Sequence, residues 1–218
     1  FLFSALASHA QCSTANLFIV IDFVLASTSP ARKKLLFEAG IKFRDLAPGV
    51  DEDQMVEELA PQTPSELTEL LARAKAEAIA ATETTALVLG CDSALFFEGQ
   101  ILGKPLASSV AIERWKAMRG KSGSLFSGHH LIDVQNNRAV SLVTSTEVFF
   151  ADLSDREIET YVATKEPLQV AGGFTIDGLG GAFVERINGD YHTVVGLSLV
   201  GLRKMMRELG LDYQSLWR

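Results

Sequence analysis

The sequence has little cysteine, no excess of positive charge and no long apolar run. Of its 218 residues, only Cys12 and Cys91 are cysteines, so no disulfide framework is expected and a reducing cytoplasm is the natural compartment. The net charge is −7 at pH 7, whereas a nucleic-acid-binding protein is expected to present a cationic face. No apolar run reaches the roughly 18 residues that a membrane span requires. We therefore expect neither a nucleic-acid partner nor a membrane partner.

Several common functional motifs are also missing. The glycines of segment 172–181 do not form a GxGxxG pattern between a strand and a helix, so a dinucleotide site is not predicted. No GxSxG nucleophile motif occurs. His129 and His130 are adjacent on a predicted strand and point to opposite faces, so they are not expected to ligate one metal. We interpret both as structural or solvent-facing.

The first 22 residues differ from the rest of the chain. They are apolar at both ends but interrupted by serine, histidine and glutamine, and no basic residue precedes the apolar part, as a signal peptide would require. We treat 1–22 as an N-terminal extension and predict one domain over 23–218. Its 47% apolar and 22% charged residues are typical of a globular protein.

Hydrophobic patterning predicts strands that alternate with helices, and one hairpin among them. Strands are expected at 23–27, at 86–97 as a buried central strand, and at 124–135 and 139–150 around an Asn136-Asn137 turn. Helices are expected after Ser29-Pro30, near 107–119 and 198–209, and after the capping boxes Thr63/Glu66 and Ser154/Glu157. In the helix over 63–81, the predicted buried face is Leu67, Leu70, Leu71, Ala74 and Ala78. This pattern predicts an α/β fold with a mixed sheet.

The first strand-to-helix junction, "ASTSPAR", is typical of an anion site. Ser27, Thr28, Ser29 and Arg32 lie where backbone N–H groups are unpaired and the helix dipole is positive. The sequence therefore predicts that this junction binds an anion.

Four charged residues are candidates for chemistry. Asp92 lies inside the apolar run "LVLGCDSALFF", where an unpaired carboxylate is costly; the alternative is a strand-end aspartate that caps a turn. Lys75 and Lys104 could face a site or simply be solvated. Glu52, in the acidic stretch "DED", could belong to a solvated loop or supply oxygen to a divalent cation such as Mg²⁺. Together with the anion site, these residues suit phosphoanhydride hydrolysis.

The segments "LASTSPAR", "GCDSALF", "ILGKP" and "AGGFTIDGLGGAFVERINGDYHTVVGLSL" resemble the Maf family of nucleoside triphosphate pyrophosphatases, in order from Val24 to Gly210. The resemblance implies a mixed, twisted sheet flanked by helices in two lobes around a cleft, as in inosine triphosphatase-like proteins. It implies hydrolysis of a nucleoside triphosphate to the monophosphate and pyrophosphate with a divalent cation, Mg²⁺ or Mn²⁺, to remove non-standard or surplus nucleotides. It also implies that a homodimer can form.

The resemblance further implies a role for each matching residue. Asp92 matches the family's proton acceptor, Glu52 its acidic loop, and Lys75 and Lys104 its phosphate-side lysines. On the chemistry of the residues alone, Glu52 and Asp92 could hold a metal ion or a water. Ser29 and Arg32, with Ser27 beside them, match its phosphate loop. Three positions implied to tune base specificity depart from the family pattern: Ala31, Ser93 and Asp177 stand in place of arginine, threonine and glutamine.

Two questions stay open at this stage. Asp177 could face the base and favour one that presents donors, such as guanine, a methylated guanine or cytosine, or it could cap a turn. The chain could also be a phosphatase that releases orthophosphate, or a nucleotide-binding regulator of cell division without significant turnover.

Overall fold

The structure is a computed structural model that describes residues 21–217. The predicted extension 1–22 therefore lies outside the described residues, apart from its last two positions. Within the described range, seven strands form one sheet: β1 (Phe23–Ala26), β2 (Arg44–Leu46), β3 (Leu87–Phe97), β4 (Gln100–Leu102), β5 (Ser122–Asp133), β6 (Arg138–Phe150) and β7 (Val184–Asn188).

Seven α-helices flank this sheet in the same range. They are α1 (Pro30–Glu38), α2 (Glu52–Leu59), α3 (Pro64–Ala80), α4 (Ser108–Met118), α5 (Asp155–Ala163), α6 (Tyr191–Val195) and α7 (Leu199–Glu208). The predicted caps are present: Ser29 begins α1, and capping boxes begin α3 and α5. The acidic stretch after β2 is not a loop as predicted, because Asp51 caps α2 and Glu52 is its first residue.

The sheet is mixed, as predicted. Its strand order is β2-β1-β3-β5-β6-β7, with β4 paired to β3. β1 runs parallel to β2 and β3, whereas the pairs from β3 to β7 are antiparallel. The predicted hairpin joins β5 and β6, with Asn137 in the left-handed conformation at its turn. The predicted α/β fold class is confirmed.

Helix α3 packs on the middle of the sheet through its small residues. Its buried positions are Thr68, Leu71, Ala72, Lys75, Ala76 and Ile79, so the predicted face was wrong except at Leu71. The reason lies in the strands beneath, where Gly90 and Gly128 replace side chains. A Cβ atom at Gly90 would lie 2.1 Å from the Ala72 carbonyl oxygen, and one at Gly128 would lie 2.2 Å from that of Thr68. The close approach selects the small-residue face of the helix.

Two large apolar cores lie at the two ends of the long strands, and a smaller cluster packs between α3 and the sheet. One contains Leu25, Leu89 and Leu131 with side chains of α1 and α7. The other surrounds Trp115 of α4, whose ring meets Phe150 edge-on at 5.6 Å. These cores define two lobes, and a cleft lies between them.

Candidate active site

The cleft has a volume of about 1180 Å³ and brings together every site residue that the sequence predicts. Its lining includes Ser27, Thr28, Ser29, Ala31, Arg32, Glu52, Lys75, Asp92, Ser93, Lys104 and Asp177. These residues come from six separate segments of the chain, so their convergence is a property of the fold.

Asp92 lies in the middle of β3, not at its end, so the turn-cap alternative was wrong. Because side chains alternate along a strand, Asp92 shares a face with Val88 and Gly90, which is the face that α3 covers. There its Oδ1 accepts a hydrogen bond from Lys75 Nζ at 2.6 Å. The same Nζ lies 2.9 Å from Glu52 Oε1 at the start of α2. One buried ammonium thus links two carboxylates.

The electrostatic state of Asp92 reflects competing influences. Burial raises the pKa of Asp92 above its ordinary value, while Lys75 and Arg32 act in the opposite direction. A carboxylate with a raised pKa in a cleft is a candidate proton acceptor. Lys75 is 7% exposed in its side chain, so the alternative of a solvated lysine does not hold.

The strand-to-helix junction lies beside the Asp92 site, because β1 pairs in parallel with β3. Ser27 Oγ accepts hydrogen bonds from the Ser29 backbone N–H at 3.2 Å and from Arg32 Nη1 at 3.3 Å. The hydroxyl proton of Ser27 is not used by either bond, because the oxygen is the acceptor in both. The junction therefore presents a hydroxyl donor, a guanidinium and a helix N-terminus to the cleft.

Arg32 is held by three hydrogen bonds. Its Nε donates to the Gly196 carbonyl at 2.8 Å and its Nη2 to Ser93 Oγ at 3.0 Å, in addition to the bond to Ser27. Arginine has five N–H donors, and within residues 21–217 two of them have no partner. Those two donors can bind an anion in the cleft while the other three fix the plane of the guanidinium.

Three predicted residues lie further along the cleft wall. Lys104 is exposed and has no ion pair among residues 21–217, so its ammonium can bind an anion. Ala31 lies in the first turn of α1. Asp177 Oδ2 lies 3.5 Å from Lys34 Nζ, with side chains 19% and 53% exposed, and this ion pair joins the two walls.

The sequence analysis missed the residues that hold the cleft walls in place. Glu166 accepts hydrogen bonds from the Tyr161 and Thr175 hydroxyls and from the Leu179 and Gly180 backbone N–H groups, so it organises the segment that carries Asp177. Burial alone would raise the pKa of Glu166, but these hydrogen bonds hold it below its ordinary value. Only Lys34 had a sequence signal, because it lies one helical turn after Ala31 on α1.

The two adjacent histidines are both buried, and neither faces the cleft. His129 Nε2 accepts the Ser198 backbone N–H at 2.9 Å, so its Nδ1 carries the proton and donates to the Leu142 carbonyl at 3.2 Å. His130 Nδ1 bonds the Ser141 hydroxyl at 2.8 Å. The structural interpretation is confirmed, and the solvent-facing alternative was wrong.

The carboxylates of the cleft are candidate ligands of a metal ion. No group of three or more histidine, cysteine, aspartate or glutamate side chains in the described part of the chain could hold a metal ion by itself. Glu52 and Asp92 each give one oxygen to the ammonium of Lys75, and within residues 21–217 their second oxygens, Oε2 and Oδ2, have no hydrogen-bond or ion-pair partner. Mg²⁺ is commonly bound by one or two carboxylates together with waters and substrate phosphates. The donor set therefore fits a divalent cation that enters with a phosphate ligand.

A membrane span is not found either. Between residues 21 and 217, no helix has both the length and the apolar character needed to cross a bilayer.

The fold and the cleft together define a class: a mixed α/β protein whose interlobe cleft is equipped to bind a phosphate-bearing anion beside a buried carboxylate. The family model described as "Maf-like protein" matches residues 22–209. The chain is 55% identical over 202 residues to a nucleoside triphosphate pyrophosphatase of Salinispora tropica, covering 90% of this chain and 88% of that relative. It is 47% identical to a protein of the same name from Nostoc punctiforme, covering 90% and 98% of the two chains. The chain belongs to the Maf family.

Proposed function

We propose that this protein is a nucleoside triphosphate pyrophosphatase that converts a nucleoside triphosphate and water to the monophosphate and pyrophosphate. The observation that supports this most strongly is the convergence of Asp92, Lys75 and Arg32 in one cleft of a Maf-family fold. The names of the relatives agree with it. The biological role we propose is removal of non-standard or surplus nucleotides.

In the proposed mechanism, Arg32, Lys104, Ser27 and Ser29 bind the triphosphate at the N-terminus of α1. Asp92 orients a water molecule and accepts its proton as the oxygen attacks the α-phosphorus. The bond between the α-phosphorus and the bridging oxygen breaks, and pyrophosphate leaves with the electron pair. Lys75 holds Asp92 in position and places a positive charge beside the reacting phosphate, where negative charge develops.

Glu52 and Asp92 are the residues that would hold the divalent cation, Mg²⁺ or Mn²⁺. When bound, such an ion neutralises phosphate charge and polarises the phosphoryl oxygens. Activity is expected to be lost on chelation with EDTA and restored by excess Mg²⁺.

The first experiment is a panel of standard and modified nucleoside triphosphates, incubated with purified protein and Mg²⁺, with pyrophosphate and orthophosphate assayed separately. Pyrophosphate release supports the proposal. Orthophosphate in its place would indicate a phosphatase. Binding without either product would indicate the regulatory alternative.

The Asp92→Asn variant tests the role of the carboxylate. Asparagine keeps an acceptor for Lys75 but cannot take up the proton, so turnover should fall by at least about 100-fold while nucleotide binding persists. Glu159→Gln, an exposed position on α5, is the control. Turnover that survives in Asp92→Asn would contradict the assignment of Asp92 as proton acceptor.

Base preference is proposed to depend on Asp177, with Ala31 as a second candidate position. An ionised carboxylate only accepts hydrogen bonds, which favours a base that presents donors, such as guanine, a methylated guanine or cytosine, over uracil and thymine. The pairing of Asp177 with Lys34 supports a role in the cleft in preference to a turn cap. The Asp177→Gln variant should change the order of kcat/KM among the bases; an unchanged order would contradict this role.

Two further properties belong to the proposal. A nucleotide substrate and the low cysteine content agree with a cytoplasmic location, which cell fractionation tests. A homodimer is kept as a prediction, and light scattering coupled to size-exclusion chromatography gives the oligomeric state directly.

A further inference from the structure

Two serines lie opposite each other beneath Arg32, on neighbouring strands. Ser93 of β3 and Ser127 of β5 are register partners, and their hydroxyl oxygens are 2.8 Å apart. Ser127 is fully buried and does not line the cleft. Its sequence context, "LFSGHH", contains no motif that would mark it as part of a site.

The direction of the hydrogen bonds between these groups follows from counting protons. Ser127 Oγ donates its single proton to the Thr193 carbonyl at 2.8 Å, so it can only accept from Ser93. Ser93 therefore donates its own proton to Ser127 Oγ, and Ser93 Oγ accepts a hydrogen bond from Arg32 Nη2 at 3.0 Å. The chain of donors therefore runs from Arg32 through Ser93 and Ser127 to the Thr193 carbonyl.

We propose that Ser93 and Ser127 are positioning residues that hold Arg32 on the phosphate groups of the ligand, and that Ser93 does not read the nucleotide base. Naming the ligand as a nucleotide rests on the proposed function. Ser93 donates its only proton to Ser127, and its oxygen accepts a hydrogen bond from Arg32. Ser93 therefore has no donor left for a base.

The packing of β3 supports the same division of roles. Adjacent residues point to opposite faces of a strand, so Asp92 faces α3 and Lys75, whereas Ser93 faces α1 and Arg32. The face on which Ser93 lies also holds Cys91 and Leu89, which belong to the core beneath α1 and α7. Ser93 is thus part of the support under the guanidinium.

Holding Arg32 in place matters because a free arginine side chain has many rotamers, and ordering them on binding weakens affinity. The bonds to Ser93, Ser27 and Gly196 fix the guanidinium before the ligand arrives, with two N–H donors left over for phosphate. Loss of the Ser93–Ser127 support should therefore weaken the binding of any ligand with the right phosphates, whatever its base.

Pyrophosphate is the probe, because it has phosphates and no base. Its dissociation constant in the presence of Mg²⁺ is measured by calorimetry for Ser93→Ala, Ser127→Ala and the double variant. We expect Ser93→Ala to bind pyrophosphate about tenfold more weakly, the usual effect of losing a hydrogen bond to a charged group. Ser127→Ala removes a bond between neutral groups and should bind pyrophosphate several-fold more weakly. The double variant should be no weaker than the weaker single variant, because the two serines act as one unit.

Two further variants serve as controls. Ser122→Ala removes a hydroxyl from the same strand, where it bonds Glu147 at 3.1 Å away from the cleft, and should leave pyrophosphate affinity unchanged. Ser93→Thr retains the hydroxyl and should bind pyrophosphate with the wild-type affinity. Ser127→Ala is expected to fold, because the Thr193 carbonyl also accepts the Gly196 N–H at 3.1 Å. If it fails to fold, the Ser93→Ala and Ser93→Thr pair decides the question.

The order of kcat/KM among nucleoside triphosphates should be the same in Ser93→Ala as in the wild type. Unchanged pyrophosphate affinity together with a changed order of bases would overturn the inference and make Ser93 a base reader. Additive losses in the double variant would overturn the coupling of the two serines. Failure of the proposed function looks different: the wild type would release no pyrophosphate from any nucleotide, while the binding measurement would still report on Arg32.

Discussion

His129 is a buried histidine whose function is structural, although histidine is often catalytic. One neutral tautomer satisfies both ring nitrogens, through the Leu142 carbonyl and the Ser198 N–H. Burial is the main cause that lowers the pKa of His129 to about 4; the charge of Arg32 acts in the same direction, whereas the hydrogen bond to the Leu142 carbonyl and the charge of Asp190 oppose the shift. Because the unfolded chain takes up a proton near pH 6.5, the neutral ring contributes stability above that pH, and this contribution is lost as the pH falls towards 4.

The His129→Gln variant should separate this effect from the rest of acid unfolding. Glutamine can accept the Ser198 N–H but loses the bond to Leu142, so the variant should be less stable by about 1 kcal/mol at neutral pH and above. Since glutamine does not titrate, the difference from wild type should shrink as the pH falls through the window between about 6.5 and 4. Urea midpoints measured across that window give the test, and parallel curves for the two proteins would contradict it.

At the scale of elements, the site depends on how closely α3 approaches the sheet. Lys75 reaches Asp92 at 2.6 Å only because Gly90 and Gly128 let the helix backbone lie directly on β3 and β5. The glycines therefore support catalysis without touching a ligand.

The Gly128→Ala variant should lose stability and activity together. Its Cβ would lie 2.2 Å from the Thr68 carbonyl oxygen, so helix and strand must separate, at a cost of about 3 kcal/mol. We expect the melting temperature to fall by about 10 °C. Turnover should also decrease at temperatures at which the variant is still folded, because Lys75 moves away from Asp92. Gly103→Ala, where a Cβ meets nothing within 4 Å, is the stability control, and equal melting temperatures for the two variants would contradict the argument.

Glu166 plays a comparable part for the segment that carries Asp177. Its carboxylate accepts four hydrogen bonds, three at Oε1 and one, from the Leu179 N–H, at Oε2. A glutamine NH₂ in place of either oxygen cannot accept the bonds made there. Glu166→Gln should raise KM several-fold, flatten the differences in kcat/KM among bases, and lower the melting temperature. Glu159→Gln is the matched control on the exposed face of α5. A wild-type base preference in Glu166→Gln would show that Asp177 is held by other contacts.

The local signals of the sequence predicted these elements well, because caps, turns and alternation depend on neighbouring residues. Ser29, Thr63 and Ser154 begin helices as expected, and the hairpin turns at Asn136-Asn137 as expected. The buried face of α3 was wrong because it depends on glycines that come later in the chain. The support from Ser127 and Glu166 was missed for the same reason: their partners are distant in sequence, and neither residue lies in a motif.

At the scale of the whole molecule, the long strands join the two lobes. On β3, Leu89 and Cys91 belong to one core and Leu95 and Phe97 to the other, and Asp92 and Ser93 lie between them. β5 likewise contributes Leu131 to the first core and Leu125 to the second. Because the site lies at the junction of two cores on continuous strands, we expect the lobes to unfold as one cooperative unit. The single domain over 23–218 stays a prediction.

Ligand binding should therefore stabilise both lobes at once. A nucleoside triphosphate with an α,β-methylene bridge, which cannot be cleaved at that position, should raise the melting temperature of one calorimetric transition by about 5–10 °C at about 100 times its dissociation constant. The parent nucleoside lacks the phosphates that Arg32 and Lys104 bind, so it should produce little shift. Two separate transitions, of which the ligand moves only one, would show instead that the lobes unfold independently and that β3 does not couple them.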